Sequence, residues 1–101
     1  MSIFDGNREL TPEVFRQYKF QEKEFKDGWF NTILNENLNR VIYLHITEDN
    51  GQYRVTGYLD PSFTILKLKA QYIKDSMDLD ILMHHLIELD KSTLFDYFEL
   101  V

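Results

Sequence analysis

The chain has 101 residues, of which 44% are hydrophobic and 15% aromatic, a composition typical of one folded domain. It contains no cysteine, which excludes disulfides, thiolate metal sites and a cysteine nucleophile. The formal net charge of −6 lies entirely in residues 75–101, since residues 1–74 carry ten acidic and ten basic side chains. We therefore expect a neutral body with an acidic C-terminal end, a feature that bears on partners rather than on fold.

The first part of the chain is predicted to be helical, after an irregular lead-in over residues 1–10. Thr11 can cap a helix through its hydroxyl, and the proline that follows suits the first helical position. Gly28 is placed to end this helix, because glycine readily adopts the left-handed conformation past a last turn. Apolar residues at helical spacing from Trp29 onward indicate a second short helix, so that residues 11–38 form the helical part.

The middle of the chain predicts a three-stranded antiparallel β-meander, with strands at about 40–48, 52–59 and 63–72. The Asn50-Gly51 pair is its strongest signal, because both residues tolerate the positive φ of a tight hairpin turn. This turn fixes the register of the first two strands and gives them one apolar and one outer face. The apolar pairs are Ile46 with Val55, Leu44 with Gly57 and Ile42 with Leu59; the outer pairs are Thr47 with Arg54, His45 with Thr56 and Tyr43 with Tyr58.

The third strand is predicted to follow the turn triplet Asp-Pro-Ser at residues 60–62. With Asp60 opposite Phe63, the leucines of this strand lie on the apolar face. The outer pairs of this register are Ile65 with Tyr58, Lys67 with Thr56 and Lys69 with Arg54. The last of these brings two like charges together, which is mildly unfavourable.

The C-terminal part begins with a helix predicted over residues 76–90, with Asp75 or Ser76 as its N-cap. Its core stripe is formed by Leu79, Leu82, Met83, Leu86 and Leu89. Residues 92–101 fit a last helical turn and a strand about equally well. The sequence thus predicts a single α+β domain over residues 1–101, in the order α-α-β-β-β-α, with helices from both chain ends packed on one face of the sheet.

The outward side of the predicted third helix is the favoured candidate for a binding surface. Met77 and Ile81 form a small apolar spot there, surrounded by acidic and histidine residues. An apolar anchor inside a charged rim is typical of a protein contact presented by a helix. This surface, called here the helix face, comprises Met77, Asp78, Asp80, Ile81, His84, His85 and Glu88. The alternative is that residues 94–98 fold over it.

These features predict a small non-catalytic protein-binding module, of the inhibitor, immunity or regulatory kind. Its acidic helix would dock on a basic surface of a partner protein, because uncompensated negative charge speeds association with a cationic target. A nucleic-acid-binding groove is one such target, and the acidic helix face would then act as a mimic of the nucleic acid. The sequence also allows a homodimer or a larger homo-oligomer, because a sheet that is not closed has two edge strands that can pair with another copy.

The second candidate surface is the outer sheet face, which comprises Tyr43, His45, Arg54, Thr56, Tyr58, Ile65 and Lys67. Aromatic rings beside cations suit a small ligand or single-stranded nucleic acid. The net charge weighs against nucleic acid, because binding of phosphates needs a local excess of cations. The alternative is that the N-terminal helices or the C-terminal segment cover this face and make it part of the core.

No sequence pattern points to catalysis or to a cofactor. Asp80, His84 and Glu88 share one helical stripe, but a zinc site needs a further ligand from elsewhere, so we expect no metal. No apolar run approaches the roughly 18 residues of a membrane span, and no secretory signal is present, so we expect a cytoplasmic protein without a membrane partner. The excess of amino acids with AT-rich codons favours a low-GC bacterium or its phage as the source.

Overall fold

The computed structural model of the chain describes residues 8–22, 28–60 and 66–101. Within these ranges the fold is α+β, with three helices and one antiparallel sheet of seven strands. The helices are α1 (Pro12–Gln17), α2 (Ser76–Glu88) and α3 (Leu94–Tyr97), and the strands are β1 (Gln21–Glu22), β2 (Trp29–Asn35), β3 (Arg40–Asp49), β4 (Gln52–Leu59), β5 (Leu66–Leu68), β6 (Gln71–Ile73) and β7 (Phe98–Leu100). The strand order is β1-β2-β3-β4-β5-β7, and β6 pairs with the first part of β4.

The β3–β4 hairpin confirms the predicted turn and register. Asn50 and Gly51 have φ angles of 51° and 82°, as a tight two-residue hairpin turn requires. Asp49 pairs with Gln52, and the apolar and outer pairs predicted beyond it all form. The hairpin therefore presents one buried and one outer face.

The predicted third strand is in fact two short strands, and its predicted register is wrong. Lys67 pairs with Tyr58 rather than with Thr56, and Arg54 pairs with Tyr72 rather than with Lys69. The observed register removes the like-charge pair that the prediction contains. The predicted partner of Tyr58, Ile65, lies outside the described residues, as does Phe63.

A bulge separates β5 from β6. From Val55 to Tyr58 β4 advances three residues, whereas its partner advances four, from Lys67 to Gln71, so the partner strand holds one extra residue. Such an insertion disrupts the ladder locally and re-aims the strand. It leaves β5 free to pair with β7 on its other side.

The predicted second helix is wrong, because residues 29–35 form strand β2. Trp29 and Ile33 are four residues apart, a spacing that places them on one side of a helix and equally on one face of a strand. The segment is a strand because it pairs with β3 along its whole length, from Trp29 opposite Ile46 to Asn35 opposite Arg40. The N-terminal part is thus mainly extended rather than helical.

Helix α1 starts as predicted but is shorter. The Thr11 hydroxyl accepts a hydrogen bond from the Val14 N–H, and Pro12 occupies the first turn. The helix ends at Gln17, and Lys19 adopts a φ of 72°, which reverses the chain. Phe20 is thereby buried beside Phe15, at a centroid distance of 5.8 Å.

Helix α2 is fastened at both ends. Asp75 caps its first turn by accepting from the Asp78 N–H, while the Ser76 hydroxyl accepts from the Arg8 N–H at 2.7 Å. At the other end, the fully buried Asn35 amide donates to the carbonyl oxygens of Leu86 and Leu89 at 2.7 and 2.9 Å. The Asp75 and Asn35 side chains satisfy backbone groups that a helix leaves unpaired at its ends.

The C-terminal segment combines the two structures that the sequence left open. Residues 94–97 form one helical turn, and residues 98–100 form β7 beside β5. Phe98 is fully buried and so anchors this strand in the core.

The core lies on one side of the sheet. Residues of α1 and α2 form one buried cluster with the apolar face of the hairpin, including the whole predicted stripe Leu79, Leu82, Met83, Leu86 and Leu89. The opposite face of the sheet carries the outer pairs. Among the helices described, none is long and apolar enough to cross a membrane.

Candidate functional site

A groove of about 690 Å³ runs over the outer face of the sheet. Its position follows from the strand order, because α1 and α2 pack on the apolar face and leave the outer side chains of the central strands uncovered by these two helices. The volume lies in the range of ligand sites. The groove is therefore a concave surface of ligand size on the outer face of the sheet.

The floor of the groove is made of two aromatic stacks. Phe30 of β2 stacks on His45 of β3, with ring centroids 4.1 Å apart and an interplanar angle of 9°. Tyr43 of β3 stacks on Tyr58 of β4, with centroids 4.9 Å apart and an angle of 26°. Both stacks join residues that lie directly opposite each other in the ladder. These four residues are called here the aromatic floor.

The groove carries positive charge in an acidic protein. Lys19 and Lys67 are among its lining residues, and no acidic side chain is among those the structure describes there. Glu99 lies opposite Lys67 across the β5–β7 pair, but it does not line the groove. The side chains that the structure describes along the groove thus carry a charge opposite in sign to the −6 of the whole chain.

The backbone holds the two lysines at opposite ends of the aromatic floor. Lys67 belongs to β5, which pairs with β4. Lys19 lies just before β1, where the Asn31 amide donates to the neighbouring Tyr18 carbonyl oxygen at 2.9 Å and ties the turn to β2. The floor lies on the strands between them.

Most of the predicted outer-face residues come together in the groove. Tyr43, His45, Thr56, Tyr58 and Lys67 line it. Arg54 lies on the same side of the sheet but outside the groove, opposite Tyr72, and Ile65 lies outside the described residues. Five of the seven predicted residues therefore line one groove, and Lys67 is the lysine among them.

Sequence reasoning missed the part of the groove that β1, β2 and the turn before them supply. The predicted helical part, residues 11–38, contains the four lining residues Lys19, Gln21, Phe30 and Thr32. The prediction therefore places none of them on the sheet. The sequence carries no clear signal for this strand, because its outer side holds Phe30 and Leu34 while its core side holds Asn31 and Asn35, so apolar and polar residues do not alternate.

The helix face keeps its apolar spot exposed. Met77 and Ile81 are 52% and 48% exposed, so the C-terminal segment does not bury them. His85 contacts this segment, since its Nδ1 atom pairs with the Tyr97 hydroxyl and the two rings meet edge to face at 5.7 Å. The segment therefore touches the rim of the helix face and leaves its centre open.

Several acidic side chains at this end have local structural partners. Asp78 accepts from the Lys74 N–H at 2.9 Å, and Asp80 accepts from the Tyr18 hydroxyl at 2.7 Å and lies 3.6 Å from the His84 ring nitrogen. Asp90 accepts hydrogen bonds from Ser92 and Thr93, which lower its pKa. These carboxylates hold the local backbone and side chains as well as contributing to the net charge.

The described part of the chain holds no group of three histidine, cysteine, aspartate or glutamate side chains that could bind a metal ion. A locally cationic groove with a stacked aromatic floor can bind a flat aromatic group. Comparisons with known proteins give no family assignment, since no family model, no curated protein and no solved structure matches this chain.

Proposed function

We propose that this protein is a non-catalytic binding module whose ligand site is the groove on the outer sheet face. The observation that carries the proposal is the aromatic floor, in which two stacked ring pairs lie at the bottom of a groove of ligand size. A concave site with apolar walls and a few polar groups is where small-molecule sites are commonly found. The ligand is accordingly a small molecule with a planar ring.

The chemistry of the floor supports a ring-shaped ligand. Tyr58 is 45% exposed, so one side of its ring remains open to a further stacking partner. A flat aromatic ligand on such rings gains dispersion and excludes water from both surfaces, at about 1–3 kcal/mol for each stacked ring. Polar lining groups, among them the Thr56 hydroxyl, can then fix its orientation.

Replacing Tyr58 with alanine should weaken binding of planar fragments about tenfold, the equivalent of about 1.4 kcal/mol. The measurement is an NMR titration of the labelled protein with neutral and charged aromatic fragments, following the amides of β3 and β4. The matched control is Tyr72→Ala, because Tyr72 is another exposed tyrosine on the same side of the sheet but outside the groove.

Two results would contradict the groove as a ligand site. One is that no fragment shifts the amides around the aromatic floor. The other is that the Tyr58 and Tyr72 variants lose the same affinity, since binding would then not depend on the groove.

A second function rests on the helix face, namely docking on a basic surface of a partner protein, as an inhibitor or regulator in a low-GC bacterium or its phage. The observation that favours it is the exposure of Met77 and Ile81 within an acidic rim. The chain carries −6 at neutral pH, which complements a cationic partner and attracts it at low salt.

The double change of Met77 and Ile81 to serine should abolish capture of a basic partner while leaving the fold intact. The test is a pull-down from a bacterial lysate, followed by binding measurements with the purified partner at low and high salt. Ile87→Ser is the matched control, because Ile87 is 48% exposed on the same helix but outside the helix face. Retention of the partner by the double variant, or binding indifferent to salt, would speak against this docking surface.

A further inference from the structure

We propose that the ligand of the groove is a nucleotide, a planar base joined to a phosphate, either free or within a single strand. This inference rests on the proposed function and adds to it the charge and chemical class of the ligand. The aromatic floor would stack the base, and Lys19 or Lys67 would pair with the phosphate.

The charge of the groove favours an anionic ligand. Lys19 and Lys67 give the described lining a charge of opposite sign to the rest of the molecule. A neighbouring groove of about 650 Å³ beside α1 shows the contrast, because Glu22 and Glu48 line it and no described lysine or arginine does. In an acidic protein, a concave surface that collects cations is specifically complementary to an anion.

The two lysines lie on either side of the rings. Four strand spacings separate β1 from β5, and at about 4.8 Å each they span roughly 19 Å. The aromatic floor lies inside this span, with one lysine towards each end. Lys67 lies directly opposite Tyr58 at one edge of the floor, so a group attached to a ring on Tyr58 reaches this cation over about one strand spacing, roughly 4.8 Å, as the sugar and phosphate of a nucleotide can.

Polar side chains also line the groove beside the rings. Gln21, Thr32 and Thr56 contribute an amide and two hydroxyl groups to the groove. Such groups can donate to and accept from base edges and sugar hydroxyls. The groove thus combines stacking, hydrogen bonding and positive charge, the three contacts that the base, sugar and phosphate of a nucleotide need.

The test is an NMR titration of the intact chain with adenosine 5′-monophosphate, adenosine, ribose 5-phosphate and a single-stranded oligothymidylate. The monophosphate should shift the resonances of Tyr43, His45 and Tyr58. Adenosine, which lacks the phosphate, and ribose 5-phosphate, which lacks the base, should each bind at least about tenfold more weakly.

Variants of the two lysines identify the cation and the source of the nucleotide. Lys19→Gln or Lys67→Gln should weaken the monophosphate about threefold to tenfold and reduce its salt dependence, while the exposed Lys91→Gln serves as control and should change neither. If the oligothymidylate binds more tightly and needs both lysines, the ligand is a single strand; if it binds no better than the monophosphate, the ligand is a free nucleotide.

The possible failures separate the two proposals. Equal affinity for adenosine and its monophosphate, with shifts at the aromatic floor, would contradict the proposal that the ligand is a nucleotide. The groove would then be a site for neutral rings. Unchanged affinity in both lysine variants would likewise contradict the nucleotide proposal. If none of the four probes shifts the resonances of the aromatic floor but neutral fragments do, only the nucleotide proposal is contradicted. If neither the probes nor the fragments shift these resonances, both proposals are contradicted.

Discussion

Replacing Gly57 with alanine is expected to lower the free energy of unfolding by about 3 kcal/mol, the upper end of the usual cost of overpacking. A methyl group on this glycine would overlap the Tyr43 carbonyl oxygen and would lie 3.2 Å from the Leu44 Cα atom. These atoms belong to the backbone of β3, so no side-chain rotation can relieve the overlap. The two central strands would have to separate. Urea denaturation followed by circular dichroism measures the loss.

The control for this change is Gly51→Ala in the hairpin turn. A methyl group on Gly51 would meet nothing within 4 Å, although its φ of 82° is strained for alanine. We expect a cost of about 1 kcal/mol there. Equal losses in the two variants would mean that the close approach of β3 and β4 does not determine the effect. Because Gly57 also lines the groove, its variant should lose ligand binding as well.

Replacing Asn35 with alanine is expected to cost about 3 kcal/mol, because two buried hydrogen bonds and one partly buried hydrogen bond are lost at about 1 kcal/mol each. The Asn35 amide donates to the carbonyl oxygens of Leu86 and Leu89, and its oxygen accepts from the Leu38 N–H at 2.9 Å. Without these contacts the end of α2 keeps carbonyl groups buried and unpaired. Thermal and urea unfolding both report the change.

Two further variants test this explanation. Asn37→Ala removes one exposed hydrogen bond to the Glu88 carbonyl oxygen and should cost less than about 1 kcal/mol. Asn35→Asp keeps the acceptor but places a carboxylate against carbonyls at the negative end of the helix dipole. Its destabilisation should therefore shrink as the pH falls and the introduced carboxyl is protonated. A cost at Asn35 no larger than at Asn37 would contradict the buried cap.

The hairpin could be predicted in full because two independent signals agree. The Asn50-Gly51 turn sets the pairing through backbone conformation, and the alternation of apolar residues sets it through burial. Helix α2 was predicted for a similar reason, since Asp75 caps its first turn and the leucine stripe has a clear helical period. In both elements the determining interactions are local in sequence.

Strand β2 could not be predicted because its determining interactions are distant. Its core side carries Asn31 and Asn35, so the pattern lacks the apolar alternation of a half-buried strand. The role of Asn35 becomes visible only when α2, about 50 residues later, packs on the sheet. The prediction of the groove was incomplete for the same reason, because Phe30 lines the groove only when residues 29–35 form strand β2.

The way α2 is fastened also bears on the order in which the protein folds. Its first turn is tied to Arg8, 68 residues away, and its last turn to Asn35, more than 50 residues away. Contacts across such separations form late, because closing long loops costs chain entropy first. We therefore expect the amide protons of α2 to exchange with solvent only when the sheet opens as well, so that helix and sheet behave as one cooperative unit.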